Sequence, residues 1–78
     1  GVLKIKVTSP LLGTDQLSVL ALENKLIESK SEFRRLLDQG GIYLNDQRVD
    51  KAQIELRLKQ GENLVRLGKR KYLKIITS

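Results

Sequence analysis

The side chains able to do chemistry in this chain are nearly all cations. Its 78 residues carry fifteen Lys/Arg against nine Asp/Glu, with no His and no Cys. That composition excludes an imidazole base, a thiol nucleophile and a thiolate metal site. No G-x-x-x-x-G-K-[ST] phosphate loop is present, and the acidic residues are scattered beside basic neighbours rather than paired as a dyad. Catalysis by these residues is therefore not expected. What remains is electrostatic recognition, and the charge is uneven. Residues 1–40 hold six basic and five acidic residues, an excess of +1, whereas residues 41–78 hold nine and four, an excess of +5. A basic half suggests a polyanionic partner. Nucleic acid leads, ahead of a membrane surface or an acidic protein.

Two clusters could carry that contact. Lys30, Arg34 and Arg35 lie within one short segment, and Arg66, Lys69, Arg70 and Lys71 fall within six positions. Arginine forks onto phosphate oxygens in a way lysine cannot. Arg48 and Lys51 extend the same surface. The plain alternative for the first cluster is a solvated helix face, and for Lys69, Arg70 and Lys71 a solubilising turn. Tyr43 is either a stacking surface for a base or ribose or a part-exposed strand aromatic. Asn45 is a turn former or a base reader. Many cations and few aromatics suit folded, duplex-bearing RNA, read by phosphates, 2′-hydroxyls and shape, better than single-strand readout.

The elements that position these residues start at Ser29. Ser29 and Glu32 have capping-box spacing, with Glu32 expected to bond back to the Ser29 amide. Phe33, Leu36 and Leu37 form an apolar stripe at helical spacing, so Lys30, Arg34 and Arg35 lie beside or opposite it. Gln39-Gly40-Gly41 ends the helix, because glycine takes the left-handed position after a helix without penalty. Ile42-Tyr43-Leu44 alternates as a strand, and Asn45-Asp46-Gln47 turns the chain.

Val2–Val7 reads as a strand and Ser9–Gly13 as a loop. A first helix, capped by Thr14 or Asp15, runs to about Asn24. It places Leu17, Leu20, Ala21 and Asn24 on one face, with Val19, Leu22 and Leu26 broadening it. Asp50–Gln53 suggests a single helical turn, and Ile54, Leu56 and Leu58 alternate as a half-buried strand. Gln60–Asn63 reads as a turn. Leu64–Leu67 and Lys71–Ile76 are strands around a Gly68-Lys69-Arg70 hairpin loop. The fold class is α+β: a two-helix αα unit packed on a small, mainly antiparallel sheet of four or five strands.

The block SKSEFRRLLDQGGIYLNDQRV, Ser29 to Val49, resembles the S-four domain, an RNA-binding fold built on this helix–helix–loop (αL) motif. With LVRLGKRKYLKII near the chain end, it is most similar to the form found in tyrosyl-tRNA synthetases. The resemblance covers roughly residues 17–76. The Gly68–Tyr72 segment tips it towards the synthetase form, and residues 1–13 lie outside the resemblance. Asn24-Lys25 stands where the family usually has a small residue and glycine, so a left-handed turn is expected at Asn24. Phe33 replaces the family's usual alanine and should set the helices further apart.

The resemblance implies an RNA surface made of Lys30, Ser31, Arg34, Arg35, Gln39, Gly40, Gly41, Tyr43, Asn45, Arg48, Lys69, Arg70 and Lys71. Around Gln39-Gly40-Gly41, backbone amides would approach the RNA. The implied partner is tRNA-Tyr, and the implied parent is a homodimeric ligase whose ATP is held by a separate catalytic domain. No cofactor is expected in this domain, which would itself be monomeric.

Alternatives are a ribosomal or RNA-modification protein of the same fold, a ribosome rescue factor, or a basic protein-interaction module. A DNA-binding helix-turn-helix reading would rest on Ser31, Arg35 and Gln39, a thin set of base readers. Length fits one domain over residues 1–78. No apolar run approaches the roughly 18 residues of a membrane span, and no signal or transit segment is legible. The expected location is a bacterial cytoplasm or a mitochondrial matrix.

Overall fold

The two helices owe their limits to their ends. α1 (Thr14–Glu23) follows Gly13, whose amide donates to Gln16 Oε1 at 3.0 Å. The cap is thus Gly13, not Thr14 or Asp15, because the Thr14 hydroxyl is turned to the Gln53 and Ile54 carbonyls. α1 ends in a Schellman motif: Lys25 N donates to Leu22 O and Leu26 N to Ala21 O. The left-handed residue is Lys25, at φ 60°, and not Asn24. The Asn24 side chain instead bonds back to Leu20 O. α2 (Lys30–Asp38) is capped by Ser29 Oγ, which accepts from Glu32 N at 3.1 Å. The Glu32 carboxylate takes the amide of Glu28, one residue earlier than a capping box requires. α2 closes like α1, with Gly40 at φ 71° and Gly41 N bonded to Leu36 O.

This computed structural model describes residues 2–78. Its strands are β1 (Leu3–Val7), β2 (Leu11–Gly13), β3 (Ile42–Leu44), β4 (Gln47–Arg48), β5 (Glu55–Arg57), β6 (Gly61–Leu67) and β7 (Lys71–Thr77). Five form a sheet in the order β1-β7-β6-β3-β4, antiparallel except for β1 against β7. The expected α+β class and mainly antiparallel sheet hold. Several limits move. The Ser9–Gly13 loop contains β2, which pairs with β5 as a separate ribbon, Leu12 opposite Leu56. Ile54 leaves the expected alternation and is 81% exposed, while Leu56 and Leu58 are buried. Asp50–Gln53 is a turn closed by Gln53 N to Asp50 O. Gly61–Asn63 already belongs to β6.

One face of the main sheet carries Ile42, Val65, Leu67, Leu73 and Ile75, and these share the core with Leu17, Ala21, Phe33 and Leu37 of the helices. α1 buries Thr14, Leu17, Ser18 and Ala21, a face one step round from the expected one, which leaves Leu20 half-buried and Val19 exposed. Phe33 is buried between these layers, filling the space that a smaller residue would leave.

Asn63 is fully buried. Its Oδ1 accepts from Lys59 N and Asn45 Nδ2, and its Nδ2 donates to the carbonyls of Lys59, Gly61 and Ile75. Such saturation is what makes a buried carboxamide tolerable.

Candidate nucleic-acid interface

The interface is built outward from α2. Its buried stripe, Phe33 and Leu37, fixes the rotation of the helix. Lys30, Ser31, Arg34 and Arg35 are consequently all exposed. Lys30, Ser31 and Arg34 line a cleft of about 570 Å³ together with Thr14, Asp15 and Ser18 of α1 and Lys51, Gln53 and Ile54 of the following loop. The Thr14 amide donates to Ile54 O at 3.0 Å, which ties the start of α1 to that loop. Three cations and one carboxylate, Asp15, therefore face the cleft, and exposed Ile54 stands among its lining residues. Arg35 is turned about 100° further round the helix, away from the cleft.

The other end of α2 meets the second basic cluster. Gly68 N donates to Gly41 O at 2.7 Å, which docks the β6–β7 hairpin tip against the turn after α2. Gly68, at φ 74°, starts the three-residue loop that exposes Lys69 and Arg70 ahead of exposed Lys71. Arg48 crosses the same turn: a side chain at Gly40 would meet Arg48 Cδ at 2.8 Å. Gly40 is therefore needed for its left-handed backbone, since the exposed Arg48 side chain can swing aside. α2 is about 13 Å long, so the cleft and the hairpin end are two parts of one basic edge.

Not every expected residue keeps its expected role. The amides of Gln39, Gly40 and Gly41 are consumed by Arg35, Leu37 and Leu36 carbonyls. They cannot donate to a ligand, which corrects the expectation that these amides meet RNA. The Asn45 side chain is held at both ends, Nδ2 to Asn63 and Oδ1 from Leu64 N at 2.9 Å. Asn45 and Asp46 both have positive φ, 50° and 70°, as a primed two-residue hairpin turn requires. Of its two readings, the turn former is the one the structure supports. Tyr43 points away from the α2 edge, with the Arg66 guanidinium 4.3 Å over its ring.

Sequence reasoning undervalued Lys51 and missed the α1 contribution to the cleft. No local signal marks either, since both arise from the Thr14–Ile54 contact. Among the described residues the one ion pair is Lys74 with Glu62, at 3.6 Å. Among the described residues none of the cations of α2 and the hairpin tip is in an ion pair, and Asp15 is the one carboxylate lining the cleft. Among the described residues no group of three His, Cys, Asp or Glu is placed to hold a metal ion, and no helix is long and apolar enough to cross a membrane.

This arrangement has a measurable consequence. Arg34→Ala with Arg35→Ala should weaken RNA binding by roughly tenfold at moderate salt and lower the log–log salt slope by about 2. Neutralising Lys69, Arg70 and Lys71 should lower it by about 3. Thermal melts of both variants should match the parent, because the altered side chains are exposed. An unchanged slope removes the altered cluster from the interface.

A helix pair, a double-glycine turn, a primed hairpin and a docked basic loop in this order define a known class. Residues 18–61, more than half of the chain, match the family model of the S4 domain. The chain therefore belongs to the S4 domain family, whose RNA-binding fold the Ser29–Val49 block resembles. Tyrosine–tRNA ligases are among its relatives. It is 43% identical over 75 residues to the tyrosine–tRNA ligase of Caldanaerobacter subterraneus, covering 92% of this chain and 18% of that protein. It is 43% identical over 60 residues to that of Borreliella burgdorferi, covering 73% and 15%. Tyrosine–tRNA ligase 1 of Clostridium acetobutylicum is 41% identical over 76 residues, covering 92% and 18%. The chain spans less than a fifth of the length of these relatives.

Proposed function

We propose that this chain is the tRNA-binding domain of a tyrosine–tRNA ligase, holding tRNA-Tyr on the basic edge formed by α2, the Gly40-Gly41 turn and the β6–β7 hairpin. The observation that carries the reading is the 43% identity to a tyrosine–tRNA ligase over 92% of the chain. The cations of α2 and the hairpin tip, none of them in an ion pair among the described residues, agree with it. The domain grips and orients; it supplies affinity and positions the acceptor end for chemistry done elsewhere. ATP and tyrosine fall to the remainder of the parent chain. That parent is a homodimer, the domain alone is a monomer, and both work in a bacterial cytoplasm or a mitochondrial matrix.

The test is a titration of the chain with tRNA-Tyr, a non-cognate tRNA of similar size and a DNA duplex at two salt concentrations. The expected result is preference for tRNA-Tyr over both competitors. Equal, salt-labile binding to all three would leave a generic basic domain without preference for RNA. No binding at low salt would overturn the reading in favour of a protein-interaction module.

A further inference from the structure

The α2 edge uses only Arg48 from the most ordered array of cations and aromatics in the molecule. Residues directly opposite on neighbouring strands share a face of a sheet. Register pairs Arg48 with Tyr43, Tyr43 with Arg66, and Arg66 with Tyr72. A row Arg48–Tyr43–Arg66–Tyr72 thus runs across β4, β3, β6 and β7. The next rows place Lys74 beside Lys4 and Ile76 beside Lys6. All of these lie on the face opposite the core, since their chain neighbours Ile42, Val65, Leu73 and Ile75 are the ones buried under the helices. Neither helix covers this face.

We propose that this open sheet face is a second RNA contact, a platform that stacks an unpaired base between Tyr72 and the Arg66–Tyr43 pair. Tyr43, Asp46, Leu64, Arg66 and Tyr72 line a shallow depression of about 300 Å³. Tyr72 is 37% exposed, so its ring is accessible. Arg66, held over Tyr43 at 4.3 Å, presents a guanidinium plane, which also stacks on bases. The Asp46 carboxylate disfavours a phosphate within the depression but accepts from a base N–H. Phosphates instead find Lys4, Lys6 and Lys74 in the flanking rows, where Glu62 is the facing carboxylate and is paired with Lys74. A protein partner fits less well, because lysines are depleted from protein interfaces. The platform would let the domain hold an unpaired nucleotide beside the duplex gripped by α2, and so rests on the RNA-binding reading above.

The chain reports on this face by itself. It has two tyrosines and no tryptophan, and both tyrosines lie in this row. The probes are a blunt RNA hairpin and the same hairpin with a short unpaired purine overhang. Affinity and tyrosine emission, corrected for absorption by RNA, are followed together. The overhang is expected to tighten binding about tenfold, the effect of one stacked base, and to quench tyrosine emission. Tyr72→Leu should abolish that preference and leave the blunt hairpin bound as before. Tyr72→Phe should restore it.

An overhang that adds no affinity while the blunt hairpin still binds overturns the platform alone. So does a Tyr72→Leu variant that keeps the preference. Failure of the blunt hairpin to bind removes the RNA-binding reading and the platform with it. Quenching by poly-glutamate but not by the overhang overturns the platform in favour of an acidic protein.

Discussion

Asn63→Ala should lower the stability of the chain by about 3 kcal/mol, and so its melting temperature by roughly 12–24 °C. The side chain satisfies the Lys59 amide at 2.9 Å and three backbone carbonyls from a site with no exposed surface. Alanine removes those bonds; the Lys59 carbonyl keeps the Thr77 hydroxyl at 2.6 Å, but the Lys59 amide loses its Asn63 partner and bears the desolvation cost. The effect reaches the interface as well. Asn63 Oδ1 anchors Asn45 Nδ2 at 3.0 Å, and Asn45 in turn holds the β3–β4 turn against Leu64. Asn45→Ala should have a somewhat smaller effect, about 2 kcal/mol, which combines the loss of its two hydrogen bonds with the strain of alanine at φ 50°. Thermal denaturation followed by circular dichroism measures both. A parent-like melt for Asn63→Ala would mean that the carboxamide is dispensable and that the strand pairing alone fixes the start of β6.

Phe33→Asp is expected to leave the chain largely unfolded at room temperature. Phe33 is 5% exposed and lies in the one core shared by both helices and the sheet. Losing an aromatic side chain from a core costs about 3–5 kcal/mol, and burying an unpaired carboxylate adds several more. A chain this size has roughly 4–12 kcal/mol in total. Phe33→Leu, which keeps an apolar side chain, should stay folded and bind RNA like the parent. A cooperative melt near the parent temperature for Phe33→Asp would show that the stripe faces solvent.

Local order made α2 legible. Ser29, the Phe33-Leu36-Leu37 stripe and Gly40-Gly41 act within a few residues of one another, so cap, face and stop could be read together. The same holds for the Gly68-Lys69-Arg70 loop, whose length and glycine match the observed hairpin. Errors fell where a residue serves a distant partner. Thr14 looked like a cap, but its hydroxyl is taken by Gln53 and Ile54, some forty positions away. Asn63 had the look of a turn residue beside Gly61, yet it is the buried hub of the sheet. Leu11–Gly13 carried no strand signal because three residues give no period, and their pairing with β5 depends on packing over Leu12 and Leu56.

The expected polyanionic class of partner, and the elements expected to meet it, were legible in the sequence by itself. Net charge, the absence of His and Cys, and the capped basic helix before a double-glycine turn all follow from residue type and short spacing. Which cations lie side by side depends on long-range contacts. The Gly41–Gly68 bond joins two clusters nearly thirty residues apart, Thr14 brings Lys51 to the α2 cleft, and strand register lays Arg66 over Tyr43. These are non-local pairings, fixed when burial of Ile42, Val65, Leu73 and Ile75 sets which face of each strand turns outward, and no window of the sequence contains both partners.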